Sequence, residues 1–300
     1  MMPIVSVVIP TYNRKLMLKR ALDSVLNQTL KDIEIIVVDN ASVDGTEAFI
    51  KNIQDPRIRY IKHETNRGGP AARNTGIKNA KAPFIALLDD DDECFPTKLE
   101  KQLEVFKQAS VNTGLVYTSA EIYDESKQKR ICVNPTGFRG QVYTRVLLGT
   151  IFGSATILIK RECFDKVGVF DENLSSCQDW DMWLRIARYF EFDYVDEVLA
   201  RVNMHGEQIS TDYAKLIPGR TGMVKKHADE FKKYPDIYVT HLKRIGKLHC
   251  LNGTWPQGLG WFRDAIAVNP LEIVKITAWI LFEWPRISLF SQSKNFKKYK

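Results

Sequence analysis

Short apolar runs alternate with amphipathic stretches through the first third of the chain. Ile4-Val5-Ser6-Val7-Val8-Ile9 predicts a buried strand that Pro10 stops. Residues 16–28 predict an amphipathic helix with Leu18, Leu22, Val25 and Leu26 on one face. Further buried strands are predicted at 34–38, ending at Asp39, at 58–61 and at 84–88. Helices are predicted at 47–53, from Gly68-Gly69-Pro70 through Ala80, and at 96–108. This is the alternation of βα units. It predicts an α/β fold with a mostly parallel sheet flanked by helices on both faces.

From Gly114 the rhythm changes. Residues 115–118 and 155–159 predict strands and 161–167 a short helix, whereas 121–150 reads as irregular, with Pro135, Gly137, Gly140 and Gly149. In 178–187, Trp180, Trp183, Leu184 and Ala187 recur at helical spacing and bury one face; the tryptophans suit a core better than a sugar-stacking platform. A strand end and polar loop follow at 201–211, with His205, Gln208 and Ser210. The remainder reads as helical. Residues 242–270 predict a helix pair broken at Asn252-Gly253, loosely like one tetratricopeptide unit, which a single copy does not establish. Residues 273–290 are rich in Ile, Leu, Trp and Phe and fit either a membrane interface or an apolar helix packed on the main domain. The expected organisation is a domain at 1–211, with halves at about 1–110 and 111–211, then a helical region at 212–300.

Composition adds little to the fold and something to the partners. Hydrophobic residues make up 44% and charged residues 26%, ordinary values for a globular protein. The net charge is +7, with lysines concentrated at 294–300 and at Lys225, Lys226, Lys232 and Lys233. Such charge suits an anionic partner or simply keeps the surface soluble. The five cysteines are scattered, with no CxxC pair, which points to reduced thiols and a cytosolic setting. Residues 1–10 read as a first strand rather than a signal peptide, and no apolar run is long enough for a transmembrane span.

The candidate chemistry sits where the fourth strand ends. Phe84-Ile85-Ala86-Leu87-Leu88 runs directly into Asp89-Asp90-Asp91-Asp92. Open α/β sheets place their ligands at the carboxyl ends of strands. Two unit charges about 4 Å apart repel by about 4 kcal/mol at an effective dielectric near 20. A hard divalent cation such as Mg²⁺ or Mn²⁺ would offset that repulsion; the alternative is a solvated acidic turn before the next helix. Asp179 falls in the first turn of the 178–187 helix, where it serves as a catalytic carboxylate or as a cap. Asp181, two residues on, cannot share its face.

Six stretches in order resemble the family-2 glycosyltransferases of the GT-A fold. They are Ser6-Val7-Val8-Ile9-Pro10-Thr11-Tyr12-Asn13-Arg14, the 36–46 stretch Ile-Val-Val-Asp-Asn-Ala-Ser-Val-Asp-Gly-Thr, Ala72-Arg73-Asn74-Thr75-Gly76, Leu88-Asp89-Asp90-Asp91-Asp92 with Pro96, Val169-Phe170-Asp171-Glu172, and Gln178-Asp179-Trp180-Asp181. The resemblance covers about 4–211 and leaves the last ninety or so residues without support. It implies a Rossmann-like nucleotide-sugar domain with a helical C-terminal extension. It also implies Mg²⁺ or Mn²⁺ and inverting sugar transfer, with a UDP-sugar as the expected donor.

By that resemblance Asp91 is the direct metal ligand, and Asp89 contacts the donor ribose or the metal shell. Thr11, Tyr12 and Arg14 line the base and ribose, Asp39 accepts the uracil N3–H, Arg73 contacts the nucleotide, and Asp90 is the spacer beside them. Asp92 fits an acidic position that often follows the motif, and Arg67 is a weaker candidate for the work of Arg73. Asp179 corresponds to the base that strips the acceptor hydroxyl, with Asp181 as fallback; Gln178 stands where relatives often carry Glu. His205 matches a loop histidine that reaches the metal or diphosphate.

The expected acceptor is a glycan or lipid-linked glycan in surface-polysaccharide or glycolipid synthesis, with no nucleic-acid partner. The expected location is the cytoplasm, with a peripheral contact on the inner face of the membrane through the C-terminus. The rival readings are three. A nucleotidyltransferase would need a Gly- and Lys-rich phosphate loop, which 10–14 does not supply. A receiver domain would not explain Asp179. A catalytically inactive nucleotide-sugar-binding scaffold of the same fold stays open.

Overall fold

In this computed structural model, residues 2–134, 137–150, 152–205 and 213–284 are described. The chain divides into two compact units: residues 1–173 with 178–208, and 174–177 with 209–300.

The first unit begins as the periodicity predicts. β1 (Val5–Thr11), α1 (Lys15–Leu26), β2 (Ile33–Asp39), α2 (Thr46–Lys51), β3 (Ile58–Lys62), α3 (Gly69–Asn79) and β4 (Phe84–Leu87) follow in order. β1 and β2 are buried at every position, as expected of parallel strands covered on both faces. Pro10 does not stop β1, which continues to Thr11 and pairs with β2 at Pro10–Val38 and Thr11–Asp39. The pairing with β4 has ended by Val8–Leu87, so the missing Pro10 N–H falls where no neighbouring strand needs it. α3 lies close on β1. A Cβ on Gly76 would sit 2.2 Å from Val8 Cγ1, so only glycine allows this approach.

β5 (Glu93–Cys94), α4 (Lys98–Gln108), β6 (Thr113–Asp124), β7 (Lys129–Asn134) and α5 (Tyr143–Leu148) come next. A 3₁₀ turn at Ser154–Thr156, β8 (Ile157–Lys160), α6 (Arg161–Val167), α7 (Gln178–Ala187) and β9 (Glu191–Met204) complete the unit. Two sequence expectations fail here. Much of 121–150 is ordered as the β6–β7 hairpin and α5, and β9 was not expected before its end. β9 gains its partner from the distant β6, alongside which it runs parallel from Thr113–Glu191 to Asp124–Met204.

Among the described residues, one nine-stranded sheet runs β3-β2-β1-β4-β8-β6-β9-β5, with β7 on β6. The β3-β2-β1-β4 half is parallel; β8 then enters antiparallel to both β4 and β6. The fold is therefore the expected α/β class with a mixed second half. α7 is buried on almost all sides, with Trp180, Met182, Trp183, Leu184, Ile186 and Ala187 at or below 2% exposure, so its tryptophans are core.

The second unit is helical: α8 (Tyr213–Lys226), α9 (Ala228–Lys232), α10 (Pro235–Leu251), α11 (Trp255–Val268) and α12 (Glu272–Ala278), which continues as a π turn at Trp279–Glu283. α10 and α11 are the predicted pair. They approach so closely that a Cβ on Gly246 would lie 2.6 Å from the Phe262 ring. Among the described residues no helix is long and apolar enough to cross a membrane.

Candidate active site

The four aspartates leave the end of β4 in a turn and are held by different sets of partners, Arg14 being shared by two of them. Asp89 pairs with Arg73. Asp90 accepts from Thr11 Oγ1 at 2.7 Å and from Arg14 Nη1 at 3.2 Å. Asp91 Oδ2 accepts from the same Arg14 nitrogen at 3.0 Å and lies 2.9 Å from His205 Nε2. Asp92 Oδ1 accepts the Asn203 N–H at 3.1 Å. Two arginines do not neutralise four carboxylates. Burial, and then the like charge of Asp91, push Asp90 up to about 6 despite Thr11 and Arg14. Burial and its acidic neighbours raise Asp92 well above the ordinary carboxylate range.

The loops after β1 and β2 are locked to each other. Asn13 N–H donates to Ser42 Oγ, Val43 N–H to Asn13 Oδ1, and Lys15 N–H to Asp44 Oδ2. Asn13 (φ 52°) and Ala41 (φ 71°) both take left-handed backbone, uncommon for these loops unless the surroundings impose it. Tyr12 is exposed at this rim. Asp39 is fully buried; its Oδ1 accepts from Ser42 N–H at 2.7 Å and its Oδ2 from the Tyr60 hydroxyl. Thr11 and Asp39 are thus both engaged within the protein, Thr11 in bracing Asp90 and Asp39 in holding the β2 loop. Tyr12 and Arg14 are the more exposed of the expected nucleotide contacts.

Arg73 projects from α3 with its Nε buried and without a hydrogen-bond partner among the described residues. Burial works against its charge, yet Asp89, Asp179 and Asp91 together raise its pKa above the ordinary guanidinium value. Asp89 is raised by burial, opposed by Arg73, and raised further by Asp91 and Asp179. The next residue, Asn74, explains why two of the sequence motifs travel together. Its Oδ1 accepts from Phe170 N–H at 2.8 Å, and its Nδ2 donates to Phe170 O and Glu172 Oε1, both at 2.9 Å. Arg67 lies 3.5 Å from Glu172 and is exposed.

Asp179 opens α7. Its Oδ2 accepts from Ser154 Oγ at 2.9 Å; its Oδ1 is buried and has no partner among the described residues. Ser154 is 3% exposed and sits in the 3₁₀ turn before β8. Asp181 is fully buried against Arg185, which also donates to Val167 O and Val169 O. That ion pair anchors a turn and leaves Asp181 no access to a substrate, so the fallback base is set aside.

His205 follows β9. Asn203, two residues earlier, donates to Asp91 O at 2.8 Å and so ties the end of β9 to the acidic turn. The remainder of the loop, with Gln208 and Ser210, lies outside the described residues. Among the described residues no three His, Cys, Asp or Glu side chains converge as a ready cage for a metal. Asp91 and His205 do meet, beside carboxylates that burial first, and then the like charge of their neighbours, hold above the ordinary range. Hard carboxylate oxygens and an imidazole suit Mg²⁺ or Mn²⁺, with diphosphate oxygens supplying further ligands. Asp89, in contrast, is turned to Arg73.

Sequence reasoning passed over Ser154, Asn203 and the second role of Asn74. Ser154 carries no local signal; only the packing of its turn against α7 brings it to Asp179. Arg20, unremarked within the predicted 16–28 helix, donates to Asp91 O at 3.1 Å and to Glu125 Oε1 at 2.6 Å.

Comparison with known proteins gives the family and the fold. Residues 6–168 match the family described as glycosyl transferase family 2. An uncharacterised glycosyltransferase of Rickettsia prowazekii is 32% identical over 253 residues, 82% of this chain and 73% of its own length. The putative colanic acid biosynthesis glycosyl transferase WcaA of Escherichia coli is 32% identical over 259 residues, covering 81% of this chain and 90% of its own. Longer rickettsial relatives exist, of which the chain spans as little as 30%. Among solved structures, S. aureus TarS 1–349 superposes with a TM-score of 0.64 at 18% identity, over 89% of this chain and 82% of that one. The mannosyltransferase PcManGT of Pyrobaculum calidifontis, in complex with GDP-Man and Mn²⁺, gives 0.60 at 16% identity over 95% and 83%. With the βα half and the acidic turn falling within the matched residues, this chain is a GT-A-fold glycosyltransferase and belongs to glycosyl transferase family 2.

Proposed function

We propose that the chain transfers a sugar, with inversion, from a nucleotide-diphosphate donor to an acceptor hydroxyl, and that the donor is a UDP-sugar. The observation that carries this reading is a buried Asp179 oxygen with no partner among the described residues, close enough to the acidic turn for its charge to act on Arg73 and Asp89, which pair with each other. In this reading Asp179 Oδ1 accepts the proton of the acceptor hydroxyl. The acceptor oxygen then bonds to the anomeric carbon from the face opposite the leaving group. The bond from that carbon to the diphosphate oxygen breaks, and the nucleoside diphosphate departs with the electron pair. Asp91 and His205, with Asp89 released from Arg73, would hold a divalent cation, which when bound offsets charge on the departing diphosphate. Arg73, its forked donors then freed, is placed to meet a phosphate oxygen. Tyr12 and Arg14 border the base and ribose, with Thr11, Asp39 and Asp90 bracing their loops.

The relatives named for colanic acid and teichuronic acid biosynthesis support an acceptor in cell-surface polysaccharide assembly, a glycan or lipid-linked glycan. A structure of TarS in complex with UDP-GlcNAc supports a UDP-sugar; the GDP-Man complex of PcManGT keeps guanosine donors in the test. The domain bounds that go with this reading are a transferase domain at 1–211 and a helical region at 212–300. Its setting is the cytoplasm.

Calorimetry with UDP, GDP and dTDP, each with and without Mn²⁺, tests the donor side. Asp91→Ala should abolish metal-dependent UDP binding. Asp179→Asn should keep it and lower transfer by about 10²–10⁴-fold. Metal-dependent binding that survives in Asp91→Ala would overturn the assignment of the turn. Tight binding with no turnover in the unaltered chain would favour the inactive scaffold.

A further inference from the structure

α12 and the π turn that extends it have two unlike faces. Glu272, Ile276 and Trp279 are buried, the last two in an apolar cluster with Val239, Leu242, Phe262 and Ala265. The Glu272 charge is matched by Lys243 and Lys275. The outward side carries Leu271 (78% exposed), Ile273 (53%), Val274 (70%), Leu281 (60%) and Phe282 (67%). Steps of three and four residues place Leu271, Val274, Ala278 and Leu281 along one stripe. A single exposed leucine calls for no explanation, but five large apolar side chains within 271–282 do.

The adjoining sequence indicates what covers this face. Residues 285–300 contain Arg286, Lys294, Lys297, Lys298 and Lys300 and no Asp or Glu. A second copy docking here would bring positive charge against positive charge. An anionic lipid surface instead offers apolar side chains the acyl boundary and lysines the headgroups. We propose that the outward face of α12 and its π turn docks this chain on an anionic membrane surface, with the basic 285–300 sequence supplying the electrostatic part. This inference does not rest on the transferase reading, because its readout is lipid binding.

The test is co-sedimentation of the full chain with phosphatidylcholine vesicles and with phosphatidylcholine–phosphatidylglycerol vesicles, at low and high salt. The chain should bind the mixed vesicles, bind neutral ones poorly, and detach as salt rises. Val274→Glu with Phe282→Glu, and separately Val274→Ser with Phe282→Ser, should each lower partitioning about tenfold or more. Replacing Lys297, Lys298 and Lys300 with Gln should lower it by about fivefold per charge. Val274 and Phe282 are exposed, and an unchanged melting temperature verifies folding in every variant. Absence of binding to either vesicle overturns the proposal. So does binding unaltered in both face variants. A dimer in sedimentation velocity that the face variants abolish, without vesicle binding, would assign the face to a second copy instead.

Discussion

At the scale of single residues, the site is built from charges that need one another. Asp179 depends on Ser154 for the only hydrogen bond its side chain has in the described structure. Ser154→Ala should therefore lower kcat about tenfold through a carboxylate that can rotate, while leaving the Kd for UDP unchanged. Ser154→Thr keeps the hydroxyl and should retain most of the activity. Steady-state kinetics alongside calorimetry separates the two effects; a loss of UDP affinity in Ser154→Ala would mean that the turn serves the nucleotide. Asp181 illustrates the opposite case. It carries the same chemistry two residues away, but its ion pair with Arg185 commits it to packing.

At the scale of elements, the parallel half is held by one buried carboxylate as well as by its apolar strands. Glu34 of β2 accepts from Ser6 Oγ of β1 at 2.6 Å and from the Lys81 N–H ahead of β4 at 2.6 Å. It also accepts from Arg59 of β3 at 2.7 Å. Burial raises its pKa, but the bonds from Ser6, Arg59 and the Lys81 N–H outweigh that and hold it below its ordinary 4.5. A depressed carboxylate stabilises the fold above its unfolded value, and that stability is lost as pH falls through the folded one. Glu34→Gln should thus cost about 1–3 kcal/mol at neutral pH and make the fall in stability below about pH 4.5 shallower. Denaturant midpoints at neutral and acidic pH measure both. The α3–β1 contact permits a second prediction. Gly76→Ala forces a methyl onto Val8, whose branched side chain on a buried strand cannot turn away, and should cost about 1–3 kcal/mol in the same assay.

At the scale of the whole molecule, the first unit carries the acidic turn and the proposed nucleotide site, and the second the outward apolar face. Ligands that bind only the folded state stabilise it. UDP with Mn²⁺ at about a hundred times Kd should add about 2.7 kcal/mol, visible as a rise in melting temperature that Asp91→Ala lacks.

Much of this was legible in the chain alone. Periodicity placed the βα half, because strands buried on both faces read as unbroken apolar runs and helices as amphipathic ones. The ordered motifs pointed to the family, since each loop between strand and helix must carry its polar residues at a set place. The acidic run at the end of β4 marked where charge must be balanced. Only the tertiary structure decided the rest. β9 exists because it pairs with the distant β6, a preference no local pattern encodes. The continuation of β1 through Pro10 depended on β4 ending two residues earlier. Asp179 and Asp181 differ because one bonds to Ser154 near the acidic turn, and the other is fully buried against the partly exposed Arg185. Residue types and their spacing determined which groups this protein has; long-range packing decided which of them are paired, which are buried, and which are left to act.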